Sequence, residues 1–87
     1  MNSDYRLIYR KEAVKFLAKQ DVSAQERIAK GLAGLLEIPP SGDIKLLKGY
    51  KKLYRLRVGS YRILFEISHT EKIIYIQVID SRGGVYK

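Results

Sequence analysis

Apolar residues change period midway along the chain, and the change divides it into a helical first half and an extended second half. YRLIY at 5–9 alternates and carries strand-favouring side chains, so it predicts a short opening strand. In KEAVKFLAKQ at 11–20, Ala13, Val14 and Leu17 recur at helical spacing with Phe16 beside them, predicting a first helix with those residues inward. Ser23 followed by Glu26 is a capping-box signature that predicts the start of a second helix. Ile28, Leu32 and Leu35 then give that helix a buried stripe. Gly31 and Gly34 weaken it and Pro39-Pro40 ends it. Two helices joined by a tight link form a helical hairpin.

From Leu53 the period becomes two. Leu53 to Val58 alternates, Gly59-Ser60 follows, and Tyr61 to Ile67 alternates again, which is the pattern of a β-hairpin. Glycine at the first central position of a two-residue loop predicts a type II′ turn. In that register Val58 faces Tyr61, Arg57 faces Arg62 and Leu56 faces Ile63. One face of the hairpin then holds Tyr54, Leu56, Val58, Tyr61, Ile63 and Phe65, which pack on the helices. The other holds Arg55, Arg57, Arg62, Leu64 and Glu66. His69 to Lys72 form a second turn, and IIYIQVI at 73–79 is apolar and β-branched enough for a central strand buried on both faces. The expected fold is α+β: an N-terminal strand, a helical hairpin, then a three-stranded antiparallel meander, with the helices on one face.

Composition narrows the function without choosing it. The 87 residues are 46% hydrophobic and 30% charged, an ordinary globular balance that points to one domain over 1–87. Cysteine is absent, so disulfides and thiolate metal sites are excluded. The polar, charge-interrupted start does not read as a secretory signal, and no apolar run approaches the roughly 20 residues needed to span a bilayer. A cytoplasmic protein without membrane partners is expected. The net charge of +8 favours polyanionic partners.

That charge is concentrated. KLLKGYKKLYRLRVGSYRIL at 45–64 carries Lys45, Lys48, Lys51, Lys52, Arg55, Arg57 and Arg62 and contains no acid. Arg57 and Arg62 start from Cβ atoms about 5 Å apart, and like charges directly opposite destabilise a sheet. A single such arginine is ordinarily a solvated side chain, at a cost of a few tenths of a kcal/mol. Three on one sheet face, fed by a lysine run without acids, favour an anion site, because arginine keeps its proton and offers a planar fork of donors. Lys45, Lys48, Lys51 and Lys52 fit the tracking of a nucleic-acid backbone, and each alone fits a solvated loop equally well. Tyr86, near the end of the tail, is placed to stack on a base. His69 reads as a turn residue. Asp43 and Glu66 are able to take a proton but form no carboxylate pair at a recognisable spacing. There is no Gly-rich phosphate loop, metal-ligand cluster or nucleophile elbow, and no cofactor is expected.

The succession LKG, LYRLRVGSYRILFEI, a β-rich strand, and Arg82 followed four residues later by Tyr86 resembles the RelE/ParE superfamily of bacterial toxins, closest to its RelE branch. The resemblance runs over nearly the whole chain, and the YRLRVGxYRI core is its specific part. It implies a compact microbial RNase fold, an antitoxin partner encoded beside the toxin, and metal-independent cleavage of messenger RNA in the ribosomal A site. By the same resemblance Arg55 and Arg57 take the paired basic positions after the LKG loop, and Arg62 the arginine opening the next strand. Arg82 and Tyr86 take the last arginine and the base-stacking tyrosine. The implied chemistry is attack by a ribose 2′-hydroxyl on the adjacent phosphorus, leaving a 2′,3′-cyclic phosphate and a 5′-hydroxyl. Arg57 and Arg62 would neutralise the growing charge, Arg82 would serve the leaving oxygen, and Tyr86 would orient the nucleotide.

One departure leaves a gap. Some relatives carry lysine where this chain has Arg55, and a guanidinium is a poor general base. The acceptor of the 2′-hydroxyl proton is therefore open at the level of sequence. Two other readings stand beside the ribonuclease: a ParE-like DNA gyrase inhibitor without RNA chemistry, and a nonspecific RNA-binding domain. The expected partners are a cognate antitoxin, the ribosome and mRNA, with operator DNA met only through the antitoxin.

Overall fold

The computed structural model describes residues 4–47 and 53–81. Along them run β1 (Arg6–Tyr9), α1 (Lys11–Ala18), α2 (Val22–Ala33), a 3-10 turn (Gly34–Leu36), β2 (Asp43–Leu46), β3 (Leu53–Val58), β4 (Tyr61–Ser68) and β5 (Ile73–Ser81). The strands form one sheet in the order β1-β5-β4-β3-β2. β1 lies parallel to β5, and the remaining neighbours are antiparallel. The α+β class, the helical hairpin and the β3-β4-β5 meander agree with the sequence reading. β2 is an addition to it: DIKL is short and follows two prolines and a glycine, so its alternation was masked by turn residues.

The hairpin register is as expected, with Val58 opposite Tyr61, Arg57 opposite Arg62 and Leu56 opposite Ile63. Gly59 has φ +59° and Ser60 does not share a positive φ, which fits a type II′ turn. Between β4 and β5 the register slips, because Leu64 faces Val78 while Phe65 faces Ile76. Gln77 is the extra residue of a β-bulge. The slip keeps Ile74, Ile76 and Ile79 all on the core side, which strict alternation would not allow. β5 is an internal strand, as its sequence suggests, although Tyr75, Gln77 and Val78 are only half-buried.

Helix starts follow local hydrogen bonding. α2 begins at Val22, not after Ser23: Asp21 is the cap, its Oδ1 accepting from the Ala24 N–H at 2.8 Å. The acid two residues upstream reaches the third amide of the helix, which displaces the expected Ser23/Glu26 box. The tight link between helices is sealed by amides, Gln25 donating to the Leu17 carbonyl at 2.8 Å and Gln20 to that of Phe16 at 3.3 Å. Both carbonyls also accept from the backbone N–H groups of Lys19 and Gln20, at 3.1 Å each, so the side-chain amides reinforce the end of α1.

Both helices cover one sheet face, α1 over β5 and α2 over β3. Ala13, Ile28, Leu32 and Leu35 meet Leu56, Ile63, Phe65, Ile74, Ile76 and Ile79 in the core. Val14 departs from expectation and is 51% exposed. It stands beside Tyr9, Leu17, Ala18 and Gln25 at a shallow groove, while Ala13 turns fully inward. α2 packs on β3 at Gly31, where an added Cβ would collide with the Val58 side chain. Among the described residues, no helix is long and apolar enough to cross a membrane.

Candidate functional site

The sheet face away from the helices carries the charge. Pairing registers place Asp43 of β2 opposite Arg57 of β3, Arg57 opposite Arg62 of β4, and Arg62 opposite Asp80 of β5. Four residues therefore lie in one row across four strands, with charges in the order minus, plus, plus, minus. At about 4.8 Å between neighbouring strands the row spans about 14 Å. The next row contains Lys45, Arg55, Leu64 and Val78.

This corrects the premise that the arginines are unaccompanied. The 45–64 block contains no acid, but the strands on either side of the hairpin deliver one each. Arg62 Nη2 donates to Asp80 Oδ2 at 2.9 Å, with the two side chains 25% and 23% exposed. Arg55 Nη1 lies 3.5 Å from Asp43 Oδ1 and 3.5 Å from the Asp43 carbonyl oxygen. Arg55 is itself buried, at 9% exposure, so its guanidinium is a fixed charge turned toward Asp43. Arg57 is exposed and makes no ion pair among the described residues. The two acids hold the flanking cations in place, which leaves Arg57 as the guanidinium turned to solvent in the row.

Of the residues singled out in the sequence, the structure thus brings Arg55, Arg57, Arg62 and Lys45 onto one face, with Lys45 exposed opposite Arg55. Lys48, Lys51, Lys52, Arg82 and Tyr86 lie outside the described residues. Glu66 shares the face further along β4 and accepts from Gln77 Nε2 at 3.0 Å. His69 sits in the β4–β5 turn, its Nδ1 2.6 Å from the Tyr5 hydroxyl, remote from the charged row. Sequence reasoning passes over Asp80, and it names Asp43 as able to take a proton without placing it beside the arginines. Strict pairing through the β4–β5 turn would set Arg62 opposite Ile79; the bulge at Gln77 is what brings Asp80 into the row. Asp43 required recognising β2.

Among the described residues no three His, Asp or Glu side chains come together as a metal site. The chemistry available to the row is electrostatic: paired guanidiniums receive an anion, and an exposed carboxylate stands beside them.

Residues 3–86 match the family described as ParE toxin of type II toxin-antitoxin system, parDE, and the chain belongs to that family. That family is part of the RelE/ParE superfamily, in which the chain therefore falls. Its similarity to the putative toxin RelE1 of Methanocaldococcus jannaschii is 42% identity over 45 residues, 52% of this chain and 50% of that protein. The matched region thus spans about half the length of the curated relative. The fold is similar to that of RelE in the RelE–RelB complex from Pyrococcus horikoshii, with a TM-score of 0.76, 28% identity and coverage of 91% of this chain and 96% of that one. The RelB–RelE antitoxin-toxin complex from Methanococcus jannaschii is similar at a TM-score of 0.72 and 28% identity, covering 91% and 94%.

Proposed function

We propose that the protein is a RelE-type toxin that cuts messenger RNA in the ribosomal A site, acts in the cytoplasm, and is held inactive by a cognate antitoxin. The observation that carries this reading is the central pair of the charged row. Arg57 and Arg62 stand directly opposite each other on an open sheet face, held between Asp43 and Asp80. Two permanent cations side by side cost stability, and a phosphodiester that accepts hydrogen bonds from both offsets that cost. The preference for a phosphate over a flat protein surface follows from the geometry of planar donor forks.

The reaction is attack of a ribose 2′-oxygen on the neighbouring phosphorus. Arg57 and Arg62 stabilise the charge that develops on the phosphoryl oxygens, a role in which fixed donors exceed their worth in water. Arg82 serves the departing 5′-oxygen and Tyr86 stacks on the nucleotide, as the superfamily resemblance implies. Lys45 adds to the cationic surface, and Lys48, Lys51 and Lys52 supply further charge for the RNA backbone. Similarity to RelE chains solved in complex with RelB supports an antitoxin partner, through which operator DNA would be met.

The test adds purified protein to translating ribosomes and maps mRNA ends by primer extension. Cuts in the A-site codon are expected, with Arg57→Ala lowering the rate by about 100- to 1,000-fold. Intact messages together with gyrase-DNA cleavage complexes would establish the ParE-like alternative. Salt-sensitive RNA binding without cuts would establish a binding domain.

A further inference from the structure

Transfer of the 2′-hydroxyl proton needs an acceptor, and the arginines of the site cannot supply one, since a guanidinium does not give up its own proton in a protein. Among the described residues three carboxylates share the face. Asp80 is bound to Arg62 at 2.9 Å through Oδ2, and its Oδ1 is enclosed by the protein, out of reach of a substrate. Glu66 accepts from Gln77 and lies four residues along β4 from Arg62, about 13 Å at strand spacing. Asp43 alone combines proximity with access. It is directly opposite Arg57 in the β2–β3 register, and its side chain is 59% exposed. Its Oδ1 is 3.5 Å from Arg55 Nη1, while Oδ2 makes no hydrogen bond among the described residues.

We propose that Asp43 is the general base of this site, taking the 2′-hydroxyl proton of the nucleotide whose 3′-phosphate Arg57 holds. The inference rests on the ribonuclease reading above and deepens it. Directly opposed residues of an antiparallel pair have Cβ atoms about 4.5–5.5 Å apart. A phosphate on Arg57 can therefore approach with its own ribose on the Asp43 side of the guanidinium, and proton transfer requires the 2′-oxygen to come within about 3 Å of the carboxylate. Arg55, contacting both the carboxylate and the main-chain oxygen of Asp43, fixes the direction in which the acid points.

The step balances. The O2′–P bond forms as the proton passes to Asp43 Oδ2, and the P–O5′ bond breaks. The 5′-oxygen takes a proton from solvent, and protonated Asp43 returns its own to water. The charged groups facing Asp43 are Arg55 and Arg57 on β3, with Arg62 behind them on β4 and Lys45 on the same strand. Lys45 is the competing acceptor.

The experiment measures single-turnover cleavage of a defined message at saturating purified ribosomes, for wild type, Asp43→Asn, Asp43→Glu and Lys45→Gln. Binding is measured separately with a message carrying a 2′-deoxy nucleotide at the scissile position. Asp43→Asn should lower the rate by about 100- to 10,000-fold with equal or tighter binding, the mark of a lost base and not of a lost contact. Asp43→Glu should recover much of the rate. Lys45→Gln should weaken binding without a comparable loss of the saturated rate. The inference falls if Asp43→Asn keeps the wild-type rate, if its loss is matched by weaker binding, if Asp43→Glu is no faster than Asp43→Asn, or if Lys45→Gln lowers the saturated rate as far as Asp43→Asn does. Wild-type protein that cuts no message would refute the ribonuclease reading itself, an outcome separable from all of these.

Discussion

At the scale of single residues, the same side chain does different work according to what the neighbouring strand supplies. Arg62 and Asp80 are about three-quarters buried and bonded at 2.9 Å. Lys72 and Asp4 are largely exposed and 3.4 Å apart. Removing one partner of the first pair leaves a partly desolvated charge, whereas the second is a surface pair of little worth. Asp80→Ala should therefore cost about 1–2 kcal/mol after allowance for residual exposure, while Asp4→Ala stays within about 0.5 kcal/mol. At roughly 4–8 °C per kcal/mol for a domain of this size, the first variant should melt about 5–15 °C below the second by calorimetry. Equal melting temperatures would show that Asp80 does not brace Arg62. The sequence made the Arg57–Arg62 opposition legible, because a two-residue loop with Gly59 pins the hairpin register. It hid the acids, since Asp80 lies 18 residues from Arg62 and only strand pairing brings them together.

At the scale of elements, what was legible is what periodicity controls. Helix stripes and strand alternation placed α1, α2, β3, β4 and β5, because each buries one face over several residues. β1 was read as a strand, but its parallel pairing with β5 is a long-range choice that leaves no local mark. Gly31 shows the limit most clearly. Read locally, it weakens α2, and replacing it with alanine should gain about 0.8–1 kcal/mol of helix propensity. In the fold it is the point where α2 rests on β3, and a methyl there meets the stiff, β-branched Val58. Overpacking of this kind costs about 1–3 kcal/mol, so the packing term should win and Gly31→Ala should destabilise the protein. Val58→Ala removes the obstacle at its own cost in burial. In denaturant melts the double variant should be more stable than the sum of the two single effects predicts, by at least about 0.5 kcal/mol. Strict additivity would mean that α2 can move off the sheet without penalty.

At the scale of the whole molecule, the sheet separates two jobs. One face is buried under α1 and α2, and the other presents the charged row to solvent. The net charge of +8 is spread over both sides, since Lys11 and Lys15 stand exposed on α1, across the sheet from Arg57 and Lys45. Net charge alone would attract RNA to either side, so the question is which cations release counterions when RNA binds. Each phosphate neutralised on a single strand contributes about 0.7 to the slope of log affinity against log salt. If the row is the RNA surface, Arg57→Ala with Lys45→Ala should lower that slope by about 1.4. Lys11→Ala with Lys15→Ala removes the same formal charge from the helical side and should leave the slope unchanged. Fluorescence anisotropy with a short single-stranded RNA at several salt concentrations measures both. Matching losses from the two variants would mean that the protein binds RNA through its overall charge, and the pairing of Arg57 with Arg62 would then have no special claim on the phosphodiester.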